Sequence, residues 1–224
     1  MTKQKISFKV PSKLWSDFKK QALDLDLNCA PFLDHMISSE LPHLRADLGK
    51  RKLSRQAKRH ISGKLKRAGA KSVNIEVRQE TAIALNAAVD AHNLVRDAFI
   101  CRLIIFLRSS SALLDHLDVP REIVGISFRI HMESMPTSPM KAMEAVRADP
   151  LFYIRHHIKQ NSEHGIYDAP LPANVGWAAC WLDDLAVPGT KVFRELQKAL
   201  DEDVNAEKYK INVKKYKGGK GAKK

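Results

Sequence analysis

Seven residues with side chains that can bind metal ions lie in one stretch near the end of the chain. Three are histidines and four are acids, the ligand types that hold a divalent ion when they share one face of an element. Two of the histidines are adjacent, so on a helix they point about 100° apart and do not share one ion. We therefore expect no metal site and no cofactor. The seven residues are His156, His157, Glu163, His164, Asp168, Asp183 and Asp184.

Other catalytic patterns are missing from the sequence. It contains no His-Glu-x-x-His, no Gly-rich phosphate loop and no nucleophile elbow. The cysteines, Cys29, Cys101 and Cys180, are odd in number and far apart, which gives neither a disulfide framework nor metal-ligand spacing. We therefore expect no catalytic residues and a protein that is not an enzyme. A nuclease-like or metal-dependent activity in residues 120–205 is the remaining enzymatic alternative.

Positive charge is the main chemical feature of the chain. It has 38 Lys and Arg against 25 Asp and Glu, a formal net charge of +13. Residues 1–70 hold 16 bases and six acids, and the stretch 49–71 holds ten bases and no acid. A strong positive balance favours polyanionic partners, nucleic acid first. We expect the contacts with the polyanion to lie mainly in residues 1–120.

The basic stretch 49–71 has helical spacing. Leucine, alanine and isoleucine recur every fourth position from Leu53 to Leu65 and form one stripe, with basic residues on the other faces. A basic amphipathic helix can bind DNA phosphates, a membrane surface or a partner protein. Because the stripe is narrow and lacks large aromatics, we expect phosphate contact, with a solvated connector as the alternative. The predicted contacts are Arg51, Lys52, Arg55, Lys58 and Arg59.

An internal repeat surrounds this basic stretch. Residues 5–10 alternate apolar and polar side chains, as in a half-buried strand, and two helical patterns follow. Ser12 and Asn28 are candidate helix caps, and Pro42 is expected to end or kink the second helix. The same pattern returns 67 residues later without a gap. Matching positions include Phe8 with Ile75, Val10 with Val77, Phe18 with Leu85, Phe32 with Phe99, and Ile37 with Ile104.

The two copies resemble a known family. Each of the segments KISFKVPSKLWSDFKKQALDLDLNCAPFLDHMI and VNIEVRQETAIALNAAVDAHNLVRDAFICRLIIFL looks like a ribbon-helix-helix unit, the fold of Arc- and MetJ-type repressors. The resemblance covers residues 4–42 and 71–109. It implies a tandem pseudo-dimer in one chain, with a two-stranded antiparallel ribbon and four helices. A lone strand and two helices cannot pair the strand or bury their own apolar faces, which independently favours pairing of the copies. The alternative is an unrelated α+β core.

The resemblance also implies binding of double-stranded DNA. The family's ribbon enters the major groove, and its outward side chains contact base edges. Lysine can donate to guanine, asparagine can pair with adenine, and glutamate can accept from cytosine. Because the two copies differ, we expect an asymmetric DNA site. The matching outward positions are Lys5, Ser7, Lys9, Ser72, Asn74 and Glu76.

The family also places the N-terminus of each second helix against a DNA phosphate. Free backbone N–H groups and the helix dipole favour an anion at that end. Arg96 suits a phosphate, whereas Asp97 does not, and Glu76 also departs from a basic ribbon. The resemblance therefore leaves the two copies unequal in their DNA contacts. The matching phosphate positions are Asn28, Cys29, Ala30, Val95 and Arg96.

The expected fold class is mainly α with short β, a tandem ribbon-helix-helix pseudo-dimer followed by a small α+β unit. The α+β unit of unknown role contains a predicted strand, helices and proline loops, and the lysine-rich end is expected to be disordered. The expected segments are repeat 1 (1–48), a basic linker helix (49–71), repeat 2 (72–115), the α+β unit (120–205) and the tail (206–224). Within the α+β unit we expect a strand over 126–132 and helices over 140–147, 151–159, 177–185 and 192–200.

Taken together, these patterns predict a sequence-specific DNA-binding protein, either a transcriptional repressor or a plasmid, phage or DNA-transfer accessory factor. The alternative is an antitoxin-like or scaffold protein whose residues 120–205 bind a protein partner. No apolar run reaches the ~18 residues of a membrane span, and the N-terminus lacks the apolar core of a secretory signal. We expect a cytoplasmic, nucleoid-associated protein that is either a monomer with an internal pseudo-dimer or a higher assembly on DNA.

Overall fold

Strand, helix and helix follow one another twice along the chain. A computed structural model describes residues 2–117, 119, 138–169, 182, 187–191, 193–195 and 198. Over these residues the protein is mainly helical with one two-stranded antiparallel sheet, which confirms the predicted class of mainly α with short β. The elements are β1 (Lys3–Pro11), α1 (Ser12–Asp24), α2 (Cys29–Leu48), α3 (Arg55–Arg67), β2 (Ala70–Arg78), α4 (Gln79–His92), α5 (Arg96–Leu107), α6 (Ser111–His116), α7 (Pro139–Ala148) and α8 (Phe152–Asn161).

The two strands pair antiparallel over their whole length, with Ser7 facing Asn74 at the centre of nine facing pairs. Alternation places the apolar side chains of both strands on the helix-covered face, where Phe8 is 1% exposed. A slip of one residue would expose this whole apolar set, so the pattern determines the register. The 67-residue repeat also maps Ser7 onto Asn74. The two residues that face each other at the centre of the strand pairing are therefore also equivalent positions of the sequence repeat.

The helices of the two copies interleave. The second helix of each copy packs on the strand and the first helix of the other copy: α2 contacts β2 and α4, and α5 contacts β1 and α1. Neither copy alone could bury the apolar faces of its helices. The shared core includes Leu33, Met36, Ile37, Phe99, Ile100, Leu103 and Ile104, none of which is exposed to solvent.

Both helix–helix turns use the same backbone conformation. Asp26 and Asn93 are equivalent positions of the repeat, and both have left-handed backbones with φ of 53° and 52°. Asparagine and aspartate tolerate this region better than most residues. The helix that follows begins after the equivalent cap positions Asn28 and Val95. Asn28 is therefore at the predicted N-cap position, although its side chain makes no capping hydrogen bond.

Some predicted helix boundaries are wrong. α2 continues through Pro42 to Leu48, because Leu41, Leu44 and Leu48 are buried and their packing outweighs the cost of an interior proline, about 3 kcal/mol. Pro11, not Ser12, occupies the N-cap position of α1. The linker helix covers only Arg55–Arg67, because Ser54 accepts a hydrogen bond from the backbone N–H of Ala57 at 3.1 Å and so caps its start.

The chain divides into two compact units, residues 1–183 and 184–224. The first unit includes part of the region that the sequence analysis assigns to a separate C-terminal unit. Helices α7 and α8 agree with the helices predicted over 140–147 and 151–159. In the second unit, the hydroxyl of Thr190 donates to the carbonyl of Val187 at 2.9 Å and accepts from the N–H of Phe193 at 3.2 Å. The predicted strand over 126–132, most of the helix over 177–185, and the tail over 206–224 lie outside the described residues.

No helix in the described part of the chain is long and apolar enough to cross a membrane.

Candidate nucleic-acid interface

The outward face of the ribbon carries all six predicted base-contacting residues. They are exposed, and the strand register places them opposite one another in three pairs. The hydroxyls of Ser7 and Ser72 lie 2.9 Å apart and share a hydrogen bond across the strands. The ribbon therefore presents one continuous polar surface. The three facing pairs are Lys5 with Glu76, Ser7 with Asn74, and Lys9 with Ser72.

Charge divides this surface by strand. β1 contributes the exposed lysines Lys3, Lys5 and Lys9. β2 contributes neutral and acidic residues, and its terminal Arg78 turns toward the buried Asp34 of α2, with Nε to Oδ2 at 2.7 Å. The same carboxylate accepts the backbone N–H of Arg78 at 3.2 Å. The lysines at outward positions of the ribbon therefore belong to β1, whereas the exposed Lys71 of β2 faces Val10 at the end of the strand pairing.

A series of aromatic rings packs β1 against its helices. The ring of Phe8 meets Trp15 edge-on, with centroids 5.7 Å apart, and Trp15 lies 5.8 Å from Phe18. Phe18 in turn stacks on Phe32 of α2 at 6.4 Å. Such pairs contribute roughly 0.5–1.5 kcal/mol each beyond their buried area. They hold the outward lysines on a preformed surface.

The N-terminus of α2 can accept an anion. Its first turn contains no acidic residue, and the side chain of Asn28 makes no capping hydrogen bond. Cys29 and Ala30 are half-buried and Asn28 is exposed. Burial raises the pKa of the Cys29 thiol, with the nearby Lys19 opposing that shift. A neutral thiol adds no negative charge that would repel a phosphate.

The equivalent end of α5 is less suited to an anion. Val95 at the cap is 8% exposed, and the acid Asp97 stands in the first turn. Arg96 donates to the backbone carbonyl of Ser7 in β1, so its guanidinium already has a protein partner. The structure therefore places both helix ends at matching positions but gives only the α2 end favourable chemistry.

Helix α3 packs on the ribbon through its apolar stripe. Ala57 and Ile61 are fully buried and Leu65 is 2% exposed, and the helix contacts α5 and both strands. The predicted Arg55 and Arg59 are exposed on the far side. The predicted Lys58 donates to the side-chain oxygen of Asn93 at 3.0 Å, so it has a protein partner. α3 is thus packed through its apolar stripe and presents a basic outer surface.

Arg51, one of the predicted phosphate contacts, makes polar contacts within the protein. It precedes α3, and its Nη2 donates to Asp168 Oδ2 at 2.7 Å and to the carbonyl of Asp47. Asp168 lies 117 positions away, so no local pattern could show this pair. Lys52, the other predicted residue of this segment, is exposed.

Asp168 is held in its charged form by its neighbours. Burial raises its pKa, but the N–H of Gly165, the guanidinium of Arg51 and the ring of His164 donate to its carboxylate. Together these contacts outweigh burial and lower the pKa. The N–H of Gly165 lies 2.6 Å from Asp168 Oδ1. The carboxylate therefore links the turn at residues 164–168 to the segment before α3.

A buried polar cluster that no sequence pattern had indicated lies behind the ribbon. Glu40 of α2, which is 1% exposed, pairs with Arg155 of α8 and accepts the hydroxyl of Tyr167 at 2.8 Å. Burial raises the pKa of Glu40, with the charge of Arg155 opposing it most strongly. Arg102 of α5 donates to the carbonyls of residues 166 and 169. Glu40 follows Met36 and Ile37 at helical spacing, which could have marked it as a buried acid.

Gly165 belongs to the same cluster. A Cβ atom on this residue would lie 2.1 Å from the carboxyl group of Asp47, so only glycine fits beside α2. Oδ2 of Asp47 accepts the N–H of Tyr167 at 3.1 Å. Residues 149–169 are therefore packed on α2 and α5 through specific polar contacts. Glu40, Asp47 and Arg102 of the ribbon-bearing helices therefore have their polar partners in this segment.

Five of the seven residues considered for a metal site lie in the described part of the chain. Among the described residues, no three His, Cys, Asp or Glu side chains come together. His164 Nδ1 lies 3.3 Å from Asp168 Oδ2, and the ring of His156 stacks on Phe152 at 5.8 Å. Glu163 is exposed and His157 half-buried. Asp183 and Asp184 lie outside the part that the structure describes.

Comparison of the chain with protein-family models, with curated proteins and with solved structures finds no match.

Proposed function

We propose that this protein is a single-chain ribbon-helix-helix protein that binds double-stranded DNA in a sequence-specific manner. It would act as a transcriptional repressor or as a plasmid, phage or DNA-transfer accessory factor in the cytoplasm, at the nucleoid. One observation carries the proposal: the repeat maps Ser7 onto Asn74, and these two residues face each other at the centre of the ribbon. Equivalent residues meet in this way at the axis of a two-fold homodimer, the usual form of the family.

The interleaving of the helices also supports this assignment. Each second helix packs on the strand of the other copy, and both turns carry a left-handed residue at the same repeat position. Two unrelated motifs in one chain would not be expected to have the same register, the same turn conformation and equivalent packing partners. A fused pair of interlocked subunits accounts for all three.

The outward face of the ribbon suits the major groove. The groove is about 12 Å wide and admits a two-stranded ribbon. Lys5 and Lys9 can donate to guanine O6 and N7, Asn74 can pair with adenine, and Glu76 can accept from the amino group of cytosine. These side chains are exposed and stand on a rigid, aromatic-backed strand pair. They would supply the base contacts.

Phosphate contacts would position the ribbon. The N-terminus of α2 offers free N–H groups, and the outer face of α3 offers exposed basic side chains. Contacts of this kind determine register and orientation but carry no sequence information directly. The N-terminus of α5 carries the acid Asp97, and its Arg96 already donates to the backbone carbonyl of Ser7. The two halves would therefore bind DNA unequally. The preferred site would therefore be asymmetric.

Selection of binding sites from a random duplex pool by the purified full-length protein tests the proposal. We expect enrichment of an asymmetric motif, and we expect no enrichment by a Lys5→Ala/Lys9→Ala variant with an unchanged melting temperature. Equal recovery of all sequences by the unaltered protein would contradict sequence-specific binding. An unchanged motif with the variant would contradict base contact by β1.

The alternative function, binding of a protein partner through residues 120–205, remains a prediction. This alternative can be tested separately from DNA binding, because it does not need the outward lysines. A cell carrying the Lys5→Ala/Lys9→Ala protein would keep the full effect of the protein under that alternative and lose it under the DNA-binding proposal. A truncation after residue 115 is a poor test, because it removes the partners of Glu40 and Arg102.

A further inference from the structure

The arginines of α3 differ from those of the rest of the first unit. Among the described residues of that unit, seven arginines donate to a carboxylate, an amide oxygen or a backbone carbonyl. Four arginines make no hydrogen bond or ion pair with any described residue, and three of them, Arg55, Arg59 and Arg67, are on α3. The guanidinium groups of these three arginines are therefore available to bind an external anion.

The exposed bases of α3 form a ridge opposite the buried stripe. Arg55, Arg59, Ser62 and Lys66 follow at spacings of four, three and four residues, and all are exposed. At 1.5 Å per residue this ridge is about 16 Å long. Successive phosphates of one DNA strand advance about 3.4 Å along the duplex axis. The ridge can therefore contact several phosphates of one strand.

Duplex DNA is a better candidate than a lipid surface for the anionic ligand of α3. Helices that lie on membranes insert an apolar face between the lipids. The apolar residues of α3 are instead buried inside the protein, with Ala57 and Ile61 at 0% exposure and Leu65 at 2%. The helix also packs on both strands of the ribbon, next to the surface proposed to enter the groove.

The basic helix that follows the first copy has no counterpart in the sequence after the second copy. α3 contains six basic residues and no acid, whereas the positions 67 residues later, 122–134, contain one arginine and two glutamates. The sequence therefore does not repeat the basic character of α3 at the equivalent positions of the second copy. This asymmetry favours phosphate contact of this kind on one side of the ribbon centre.

We propose that α3 binds the phosphate backbone of the duplex that flanks the ribbon's site on one side, so that the protein has a one-sided DNA footprint. This inference rests on the proposed function, because it takes the ribbon as the element in the groove. The footprint gives the bound protein a defined polarity on DNA, determined by phosphate contact and not by base sequence. It also assigns the ridge of Arg55, Arg59 and Lys66 a ligand of one class, a duplex phosphate backbone.

Duplexes that carry the selected site, shortened stepwise from either end, test the inference. We expect the full-length protein to lose about ten-fold or more in affinity when one flank is removed and little when the other is removed. The Arg55→Gln/Arg59→Gln variant should bind both shortened duplexes equally, with a salt slope shallower by up to about 1.8 for two lost contacts. A matched control, Arg45→Gln/Lys50→Gln, removes the same charge near the C-terminal end of α2 and should keep the one-sided dependence.

Several results would overturn the inference. Equal losses from both flanks would show that no side is preferred, and equal effects of the two variants would show that only net charge matters. Loss of binding to vesicles of anionic lipid by the α3 variant, with unchanged duplex binding, would assign the ridge to a membrane. If selection returns no site, the proposed function fails, whereas the salt slope of the α3 variant on random duplex still decides whether α3 binds phosphate.

Discussion

The two strand–helix–helix copies share a backbone and differ in their surface chemistry. Their inward residues are interchangeable apolar side chains, such as Phe8 in the first copy and Ile75 in the second. Their outward residues are not, since β1 carries lysines where β2 carries Ser72, Asn74 and Glu76. The comparison shows that alternation specifies the fold and leaves the exposed face free to diverge.

The second helices differ in a complementary way. α2 is 20 residues long and supplies the acids Glu40 and Asp47 to the cluster with residues 149–169. α5 is 12 residues long and supplies the cation Arg102 to the same segment. Residues 149–169 therefore contact both copies, with opposite charge from each. They make the two halves structurally unequal even where the backbones match.

The largest expected effect is on the core beneath the ribbon. Phe8 faces Val73, but Phe8 is 1% exposed and Val73 is half-buried. Phe8→Ala should lower the free energy of unfolding by ~3–5 kcal/mol, the usual cost of removing a buried aromatic ring. Val73→Ala should cost about 1 kcal/mol, because it removes two methyl groups from a partly solvated site. Urea unfolding measures both, and equal losses would show that the strands are buried alike.

The next effect concerns the acid that only the first copy has. The repeat maps Glu40 onto Leu107. Glu40→Leu should destabilise the protein by about 3 kcal/mol, because it removes one of the two carboxylates that pair with the buried guanidinium of Arg155 and leaves Asp149 as its acid partner. Adding Arg155→Met should recover part of the loss, with the hydroxyl of Tyr167 still lacking its acceptor. Failure of the double variant to recover any stability would indicate that the cluster acts through packing alone.

Base contact by the two strands can be compared directly. Lys9→Ala should weaken binding to the selected DNA site by about 1–3 kcal/mol and binding to random DNA much less. Asn74→Ala should do the same at the other half of the site if β2 also contacts bases. Fluorescence anisotropy with both duplexes, beside a thermal melt, gives the ratio of specific to random affinity. If neither substitution changes that ratio, the ribbon is not the specificity element.

A smaller effect should depend on pH. The folded pKa of Asp168 is lowered, so its charged form stabilises the fold above its unfolded pKa of about 3.9, and this contribution is lost as pH falls through the folded pKa. Asp168→Asn should therefore reduce stability by about 1 kcal/mol near neutral pH and by progressively less in acid. The raised pKa of Glu40 acts in the opposite direction but is common to both proteins, whereas the pKa of Asp47 is raised in part by the charge of Asp168 and so falls in the variant. A pH-independent difference in unfolding free energy would contradict the ion pair with Arg51.

The smallest effect compares the two helix–helix turns. Asp26→Gly should change stability by less than about 0.5 kcal/mol, because relief of the left-handed strain offsets the added freedom of the unfolded chain. Asn93→Gly should cost about 1 kcal/mol more, because the Asn93 amide donates to the carbonyl of Leu53 at 2.7 Å and its oxygen accepts from Lys58. Thermal melts of the two variants give the difference. Identical melting temperatures would mean that the Asn93 contacts contribute nothing to folding.

Local periodicity was enough to predict much of this molecule. Alternation over residues 5–10 and helical spacing after it predicted a strand and helices in each copy, and the 67-residue offset predicted their equivalence. The same alternation predicted which six side chains lie on the outward face of the ribbon. These features depend on neighbours a few positions apart, so a single sequence contains them.

Tertiary structure alone decided the remaining features. The length of α2 beyond Pro42, the pairing of Arg51 with Asp168, and the Glu40–Arg155–Tyr167 cluster depend on residues that lie more than 100 positions apart or on packing against other elements. No local period encodes such contacts, because a buried charge is stable only where the folded chain brings it a partner. The outward lysines follow from the sequence, whereas the residues that hold their scaffold rigid follow from the fold.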